Sequence, residues 1–426
     1  MNWHLRASAL AGSLSVPGDK SIAHRALMLS SLARGTSEIR GLPEGEDVRA
    51  TAACIDSLGA AVRTMGTTAV VVSPGQLAAP DADLYAANSG ATMRLLAGIL
   101  AGQPFSARLT GDASLSHRPM QRVIEPLARM GADIRSQDGC APLQVMGRPL
   151  HGIHYALPVA SSQVKSAVLL AALFADGETS VSEPTATRDH TERMLRSLDI
   201  TVEQQNGRVT LKGGQRPPPF DIEVPGDVSS AAFFFAAAVL SGGAIQVRRV
   251  GVNPTRTAFF GVLERMGARV DVETMGESMG EPVADVTVTG EIAKPIEIQE
   301  GEAAALIDEL PLVALLATRA RGTSTIRGAA ELRVKESDRI GAVASVLRAM
   351  AADIEELPDG FVVRGPTQLC GATVSAQGDH RVAMMAAIAG CVADGETVVT
   401  GAEAAAVSFS GFASCFRQVG GRVDVA

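Results

Sequence analysis

Six times along the chain, a run rich in alanine and leucine stops at a glycine and yields to a short alternation of apolar and polar residues. The stops are Ala33-Arg34-Gly35, Leu100-Ala101-Gly102, Ala175-Asp176-Gly177, Leu240-Ser241-Gly242, Arg319–Gly322 and Ala393-Asp394-Gly395. A second beat falls between them. Ser57-Leu58-Gly59-Ala60, Arg129-Met130-Gly131-Ala132, Arg265-Met266-Gly267-Ala268 and Gln418-Val419-Gly420-Gly421 each close another helix-like pattern. Weaker copies stand at Ser197-Leu198-Asp199-Ile200 and Ala349-Met350-Ala351-Ala352. Alternation such as Arg269-Val270-Asp271-Val272 follows each. A helical period giving way to a period of two is the mark of a helix followed by a strand. Its return about every 70 residues predicts six copies of one α/β unit.

The first helix of each unit opens on polar residues: Asp19-Lys20-Ser21, Asn88-Ser89-Gly90, Ser161-Ser162-Gln163, Asp227-Val228-Ser229, Glu302-Ala303 and Asp379-His380-Arg381. Short polar side chains suit such positions because they accept from unpaired backbone N–H groups. The closing glycines fall where a left-handed residue ends a helix. Val16-Pro17-Gly18-Asp19 recurs as Val224-Pro225-Gly226-Asp227, so the units fall into two sets of three. The expected fold is therefore α/β, with two similar globular domains and crossovers near residues 17–19 and 225–228. Arg216–Pro219 and Gly276–Glu281 read as surface loops.

Composition narrows the function. A chain of 426 residues exceeds one simple core. A formal charge of −8 argues against a general nucleic-acid binder, although a few arginines can still dominate a cleft. Cys54, Cys140, Cys370, Cys391 and Cys415 show no paired spacing, which suits free thiols in a reducing cytoplasm. No run reaches membrane-spanning length, since Asp308 and Glu309 break the apolar stretch from Ala303 to Ala317. The start of the chain lacks the apolar core of a signal peptide. His151 and His154 lack a third metal ligand, so no metal is expected.

The candidate chemistry gathers at the helix starts. Helix N-termini carry partial positive charge and free N–H groups, so six of them facing one cleft would trap anions. Lys20, Ser21, Arg25, Arg94, Ser161, Ser162, Gln163 and Arg381 stand at or near those starts. Glu331-Leu332-Arg333-Val334-Lys335-Glu336-Ser337-Asp338-Arg339 concentrates charge after an expected strand, and Asp308 interrupts an apolar helix that would ordinarily exclude a carboxylate.

Pro17–Arg25, Asn88–Arg94, Ser161–Ala167, Arg333–Arg339 and Asp379–Arg381, in this order over essentially the whole chain, resemble the 5-enolpyruvylshikimate-3-phosphate synthase family. Thr187–Glu192 and Gly111–Met120 resemble its bacterial subgroup often called class II. The resemblance implies an enolpyruvyl transferase fold, an inside-out α/β barrel of two domains. Each domain has three β-α-β-α-β-β units with helices facing inward. One domain would hold residues 1–17 with 228–426, its N-terminal strand packed with the C-terminal half, and the other 18–227, with the active site in the cleft between them. It implies transfer of an enolpyruvyl group from phosphoenolpyruvate to the 5-hydroxyl of shikimate 3-phosphate, without metal or cofactor, by a monomer that closes on shikimate 3-phosphate.

By the same resemblance, Lys20, Ser21, Arg25, Ser161, Ser162, Gln163, Arg188, Asp308 and Lys335 bind shikimate 3-phosphate. Lys20, Gly90, Arg118, Gln163, Arg339 and Arg381 bind phosphoenolpyruvate, and Lys20, Asp308 and Glu336 are the catalytic candidates. Gly90 leaves room for the inhibitor glyphosate. The chain departs from many relatives at Ala91, where they carry threonine, at Val407, where one subgroup has lysine, and at Ser410, where they have proline. The related transferase acting on UDP-N-acetylglucosamine normally has asparagine after the first lysine and a reactive cysteine in the loop matching Gly111–Pro119. Here Ser21 follows Lys20 and that loop has no cysteine. A non-catalytic anion binder is disfavoured by the two carboxylates, Asp308 and Glu336, among groups meant for anions.

Overall fold

Each alanine-rich run is a helix whose sides are covered almost all round. In chain order the main helices are α1 (Lys20–Leu32), α2 (Glu46–Ser57), α3 (Gly90–Ala101), α4 (Gln121–Arg129), α5 (Ser162–Ala172) and α6 (His190–Ser197). They continue as α7 (Val228–Ser241), α8 (Ala258–Met266), α9 (Glu300–Leu306), α10 (Leu310–Ala317), α11 (Arg339–Ala349) and α12 (His380–Gly390). The structure, a computed structural model, describes every residue from Met1 to Ala426. It divides into two compact units, Met1–Pro17 with Pro225–Gly276 and Pro282–Ala426, and Gly18–Val224 with Glu277–Glu281. The second break thus falls three residues before 227/228, and the tip of one long hairpin belongs to the opposite unit from its stem.

In the Gly18–Val224 unit, α1, α3 and α5 are the inner helices, each buried along nearly its whole length. Helices apolar on every side belong inside a core, and small residues let these approach closely. A Cβ on Gly98 of α3 would lie 2.2 Å from the Ala167 carbonyl of α5. Three four-stranded sheets cover the unit. In one, Leu84–Tyr85 runs parallel to Ser106–Thr110, which pairs antiparallel with Cys140–Met146 and that strand with Asp133–Gln137. Another repeats the order with His154–Ala156, Glu178–Ser182, Arg208–Lys212 and Val202–Gln205. The third borrows its first strand from the end of the unit, Asp221–Glu223 beside Gly35–Arg40.

The other unit repeats this plan around α7, α10 and α12. One of its sheets places Asn2–Arg6 between Glu396–Thr400 and Arg422–Val425, and another pairs Gly12–Ser15 parallel with Ala244–Gly251. Trp3, the only tryptophan, stacks on Phe412 at 5.4 Å within a cluster of buried phenylalanines.

Two local expectations change. The apolar run from Ala303 to Ala317 is not one helix, because α9 stops at Leu306 and α10 starts at Leu310 with Pro311 in its first turn. Asp308 lies in the break, so its carboxylate stands just before a helix start. Of the closing glycines, Gly242 is the left-handed cap expected, whereas Gly102 has a φ of −95°. Its smallness is needed instead for packing, since a Cβ there would come within 2.5 Å of Phe174.

Candidate active site

Five of the six inner helices start behind the side chains expected to cap them: Asp19, Ser89, Ser161, Asp227 and Asp379 each accept from a backbone N–H of the first turn. In the Gly18–Val224 unit the starts of α1, α3 and α5 gather cations. Lys20 donates from Nζ to Asp47 Oδ2 at 2.8 Å. Arg25 is buried and donates to Thr191 Oγ1 (2.7 Å), the Ser21 carbonyl (2.8 Å) and Ser166 Oγ (2.6 Å). Burial draws Arg25 down to about 10, Glu192 and Asp19 oppose that, and Arg188 adds to it. Two guanidinium groups near enough to repel are relieved by a bound anion.

Arg94 Nη1 donates to Gln163 Oε1 at 2.5 Å, joining α3 to α5. Arg118, at the end of the short turn Leu115–His117, donates to Asn88 Oδ1 at 2.5 Å and Ser114 Oγ at 3.3 Å. Asn88 in turn donates to Asp112 at 2.7 Å. Gly90 lies among them: a Cβ there would stand 2.8 Å from Arg94 Nη1 and 3.6 Å from Arg118 Nη1. Ser161 caps α5 next to Ser162, and Arg188 lies half-buried in the loop before α6.

Behind this cluster runs a buried chain of hydroxyls. His24 Nδ1 lies 2.7 Å from Thr51 Oγ1, which lies 2.6 Å from Thr92 Oγ1, and Thr92 donates to Ser89 Oγ at 2.7 Å. Thr92 therefore braces the α3 start from inside, while Ala91 beside it supplies no hydroxyl. Burial pulls His24 down to about 3, with Asp47 opposing and Lys20 and Arg25 reinforcing. The folded state thus keeps His24 neutral while the unfolded chain takes up a proton below its usual 6.5. Stability from this group is present above about pH 6.5 and is lost as pH falls towards 3, at roughly 1.4 kcal/mol per pH unit at most. Thermal unfolding from pH 8 to pH 5 should show the parent losing melting temperature faster than His24→Gln. Parallel curves would contradict this.

The other unit builds its site on one guanidinium. Arg339, at the start of α11 and fully buried, donates to Asp379 Oδ2 (2.7 Å), Glu336 Oε2 (2.5 Å) and Asp308 Oδ1 (3.4 Å). Burial opposes its charge, yet Asp379, Glu336 and Asp308 together raise it well above the usual range for arginine. Burial likewise works against the Asp379 carboxylate, and Arg339 with His380 overrides this and holds it below its ordinary value. Arg381 donates to the Asp308 carbonyl at 2.9 Å and lies 3.6 Å from Asp308 Oδ2 and 3.9 Å from Glu309. Ser229 of α7 donates to Glu309 and accepts from Arg256 at 2.7 Å. Lys335 is half-buried beside Glu336, at the end of the turn Ala330–Val334. Arg333 is structural: it clamps Asp338, Glu356 and the Leu357 carbonyl.

A family model described as EPSP synthase (3-phosphoshikimate 1-carboxyvinyltransferase) matches residues 6–416. The chain belongs to the EPSP synthase family. A 3-phosphoshikimate 1-carboxyvinyltransferase of Acidithiobacillus ferrooxidans is 48% identical over 423 residues, covering 98% of each chain. One from Anaeromyxobacter sp. is 50% identical over 397 residues, covering 92% of each. A solved EPSP synthase from Acinetobacter baumannii superposes with a TM-score of 0.89 at 40% identity, covering 100% of this chain and 99% of that one.

Several residues that hold these cations escape the sequence reading. Asp47 holds Lys20, Asn88 holds Arg118 and Asp112 holds Asn88, yet each lies 24 to 30 residues from that partner. Asp47 had one local signal, its place in the first turn of α2, whereas Asn88 and Asp112 stood in stretches the sequence singled out but without a sign of their partners. Glu309, beside Asp308, accepts from Ser229 and lies 3.9 Å from Arg381. His154, considered for a metal, has Nδ1 2.6 Å from Ser180 Oγ. No helix is long and apolar enough to cross a membrane.

Proposed function

We propose that this chain transfers the enolpyruvyl group of phosphoenolpyruvate to the 5-hydroxyl of shikimate 3-phosphate, giving 5-enolpyruvylshikimate 3-phosphate and phosphate. Full-length membership of the EPSP synthase family carries the reading, and the two clusters of cations give it a physical basis. Both substrates are polyanions, for which guanidinium forks and helix starts are the natural receptors. Ser161 and Ser162 take the substrate phosphate, Ser21 and Arg25 its carboxylate, with Gln163, Arg188, Asp308 and Lys335 completing the pocket. Lys20, Arg118, Gln163, Arg339 and Arg381 grip phosphoenolpyruvate near Gly90. The reaction needs both units to act on one pair of substrates, so closing on shikimate 3-phosphate is part of the proposal.

The chemistry is addition followed by elimination. The 5-hydroxyl oxygen bonds to C2 of phosphoenolpyruvate as its proton leaves, and C3 gains a proton to become a methyl group. The tetrahedral ketal then loses phosphate as C3 gives a proton back, restoring the double bond. Asp308 and Lys20 serve the hydroxyl, and Glu336 serves the methylene carbon. Well-placed acid and base groups contribute about 10²–10⁴-fold each.

Glyphosate, which competes for the space beside Gly90, should inhibit, because the glycine keeps that space open, whereas the Cβ of an alanine there would stand 2.8 Å from Arg94 Nη1. The protein acts as a cytoplasmic monomer. The purified enzyme with phosphoenolpyruvate should release phosphate only when shikimate 3-phosphate is added, should stay silent with UDP-N-acetylglucosamine, and should be suppressed by glyphosate. Release with the nucleotide sugar instead would overturn the substrate assignment.

A further inference from the structure

Arg188 sits in a loop, residues 183–189, that has no helix or strand of its own. Its support comes from Lys165, one turn into α5, which is 1% exposed. The Lys165 ammonium donates to Glu183 Oε1 at 2.9 Å and to the Thr187 carbonyl at 3.5 Å, and it lies 2.8 Å from Glu192 Oε1. Glu183 accepts from the Thr187 N–H at 3.1 Å and from its hydroxyl at 2.6 Å. The loop is thus clasped on itself by Glu183 and pinned to α5 where it begins and at the residue before Arg188.

The next residue on α5 binds the far side of the same segment. Ser166 Oγ accepts from Thr191 at 2.8 Å, and both Ser166 and Thr191 accept from Arg25. Glu192 is wholly buried, and its Oε2 has no hydrogen-bond partner. Its charge is met by Lys165, and it is the largest of the charges that sustain Arg25 against burial.

Stability alone does not explain the buried cluster of Lys165, Glu183 and Glu192, since a buried ion pair is often no better than apolar residues of equal volume. What this one supplies is geometry, tying the loop of Arg188 and the seat of Arg25 to the helix that begins with Ser161 and Ser162. We propose that Lys165 is a positioning residue which, through Glu183 and Glu192, holds Arg188 and Arg25 in register for shikimate 3-phosphate without touching it. This rests on the reading of Arg188 and Arg25 as ligands of that substrate.

A double-mutant cycle on shikimate 3-phosphate binding, read by calorimetry, tests it. Lys165→Met should raise the dissociation constant about tenfold or more, with kcat at saturating substrate changed far less. In an Arg188→Ala background the same substitution should add clearly less than in the parent, because one of the two groups it positions is gone and only its effect through Arg25 remains. Thr187→Val, which removes one clasp without burying a lone charge, should show the same coupling at smaller size, and it serves if Lys165→Met does not fold. Unchanged binding in both clasp variants, or effects that multiply fully on Arg188→Ala, would overturn the inference alone. Arg188→Ala binding as tightly as the parent would remove the ligand reading and this inference with it.

Discussion

Asp308→Asn should lower kcat by about 10²–10⁴-fold and leave the dissociation constant for shikimate 3-phosphate within about threefold. The carboxylate stands in the break between α9 and α10, between Arg339 at 3.4 Å and Arg381 at 3.6 Å. Asparagine keeps the size and the hydrogen-bonding oxygen but cannot take a proton from the attacking hydroxyl. A loss confined to kcat therefore separates proton transfer from binding. Steady-state kinetics beside calorimetry read both quantities. Equal losses in turnover and affinity would make Asp308 a ligand only.

Arg339→Met should destabilise the unit that carries it by about 3–5 kcal/mol and abolish turnover. Asp379, Glu336 and Asp308 converge on this one guanidinium, whose side chain is 2% exposed. Removing it takes away the cation that these three carboxylates share, while Asp308 keeps Arg381 at 3.6 Å. Lysine should rescue only in part, because an ammonium lacks the planar fork that serves several carboxylates at once. The parent's contribution from Asp379 is fully present above the unfolded carboxylate value and is lost as pH falls through the lowered folded one. The deficit of the variant should accordingly shrink in acid. Trp3, buried in the same unit, reports its urea transition by fluorescence. An unshifted midpoint at neutral pH would contradict the account.

What the sequence revealed of this site was local. Caps act within one helical turn, so Asp19, Ser161 and Asp379 were legible from their immediate neighbours. The repeat was legible because each unit must bury its own inner helix against its own sheet. Partnerships across the fold were not. Nothing near Lys20 announces Asp47, and nothing near Arg118 announces Asn88. The strand Asn2–Arg6 has no local mark that it completes a sheet with Glu396–Thr400 and Arg422–Val425. The helix break at Asp308 went unseen because the residues on both sides are equally good helix formers, and only Pro311 betrays it. Lys165 lay in plain view within Ser161–Ala167, but its role depends on Glu183 and Glu192 from later elements.

The most direct test of the proposed chemistry follows the oxygen that bridges carbon and phosphorus in phosphoenolpyruvate. With that oxygen labelled as ¹⁸O, the enzyme and shikimate 3-phosphate should release phosphate that retains the label. Addition and elimination break the C–O bond, so the bridging oxygen departs with phosphorus, one labelled phosphate for each enol ether formed. Unlabelled phosphate, or release without shikimate 3-phosphate, would mean hydrolysis at phosphorus and would contradict enolpyruvyl transfer.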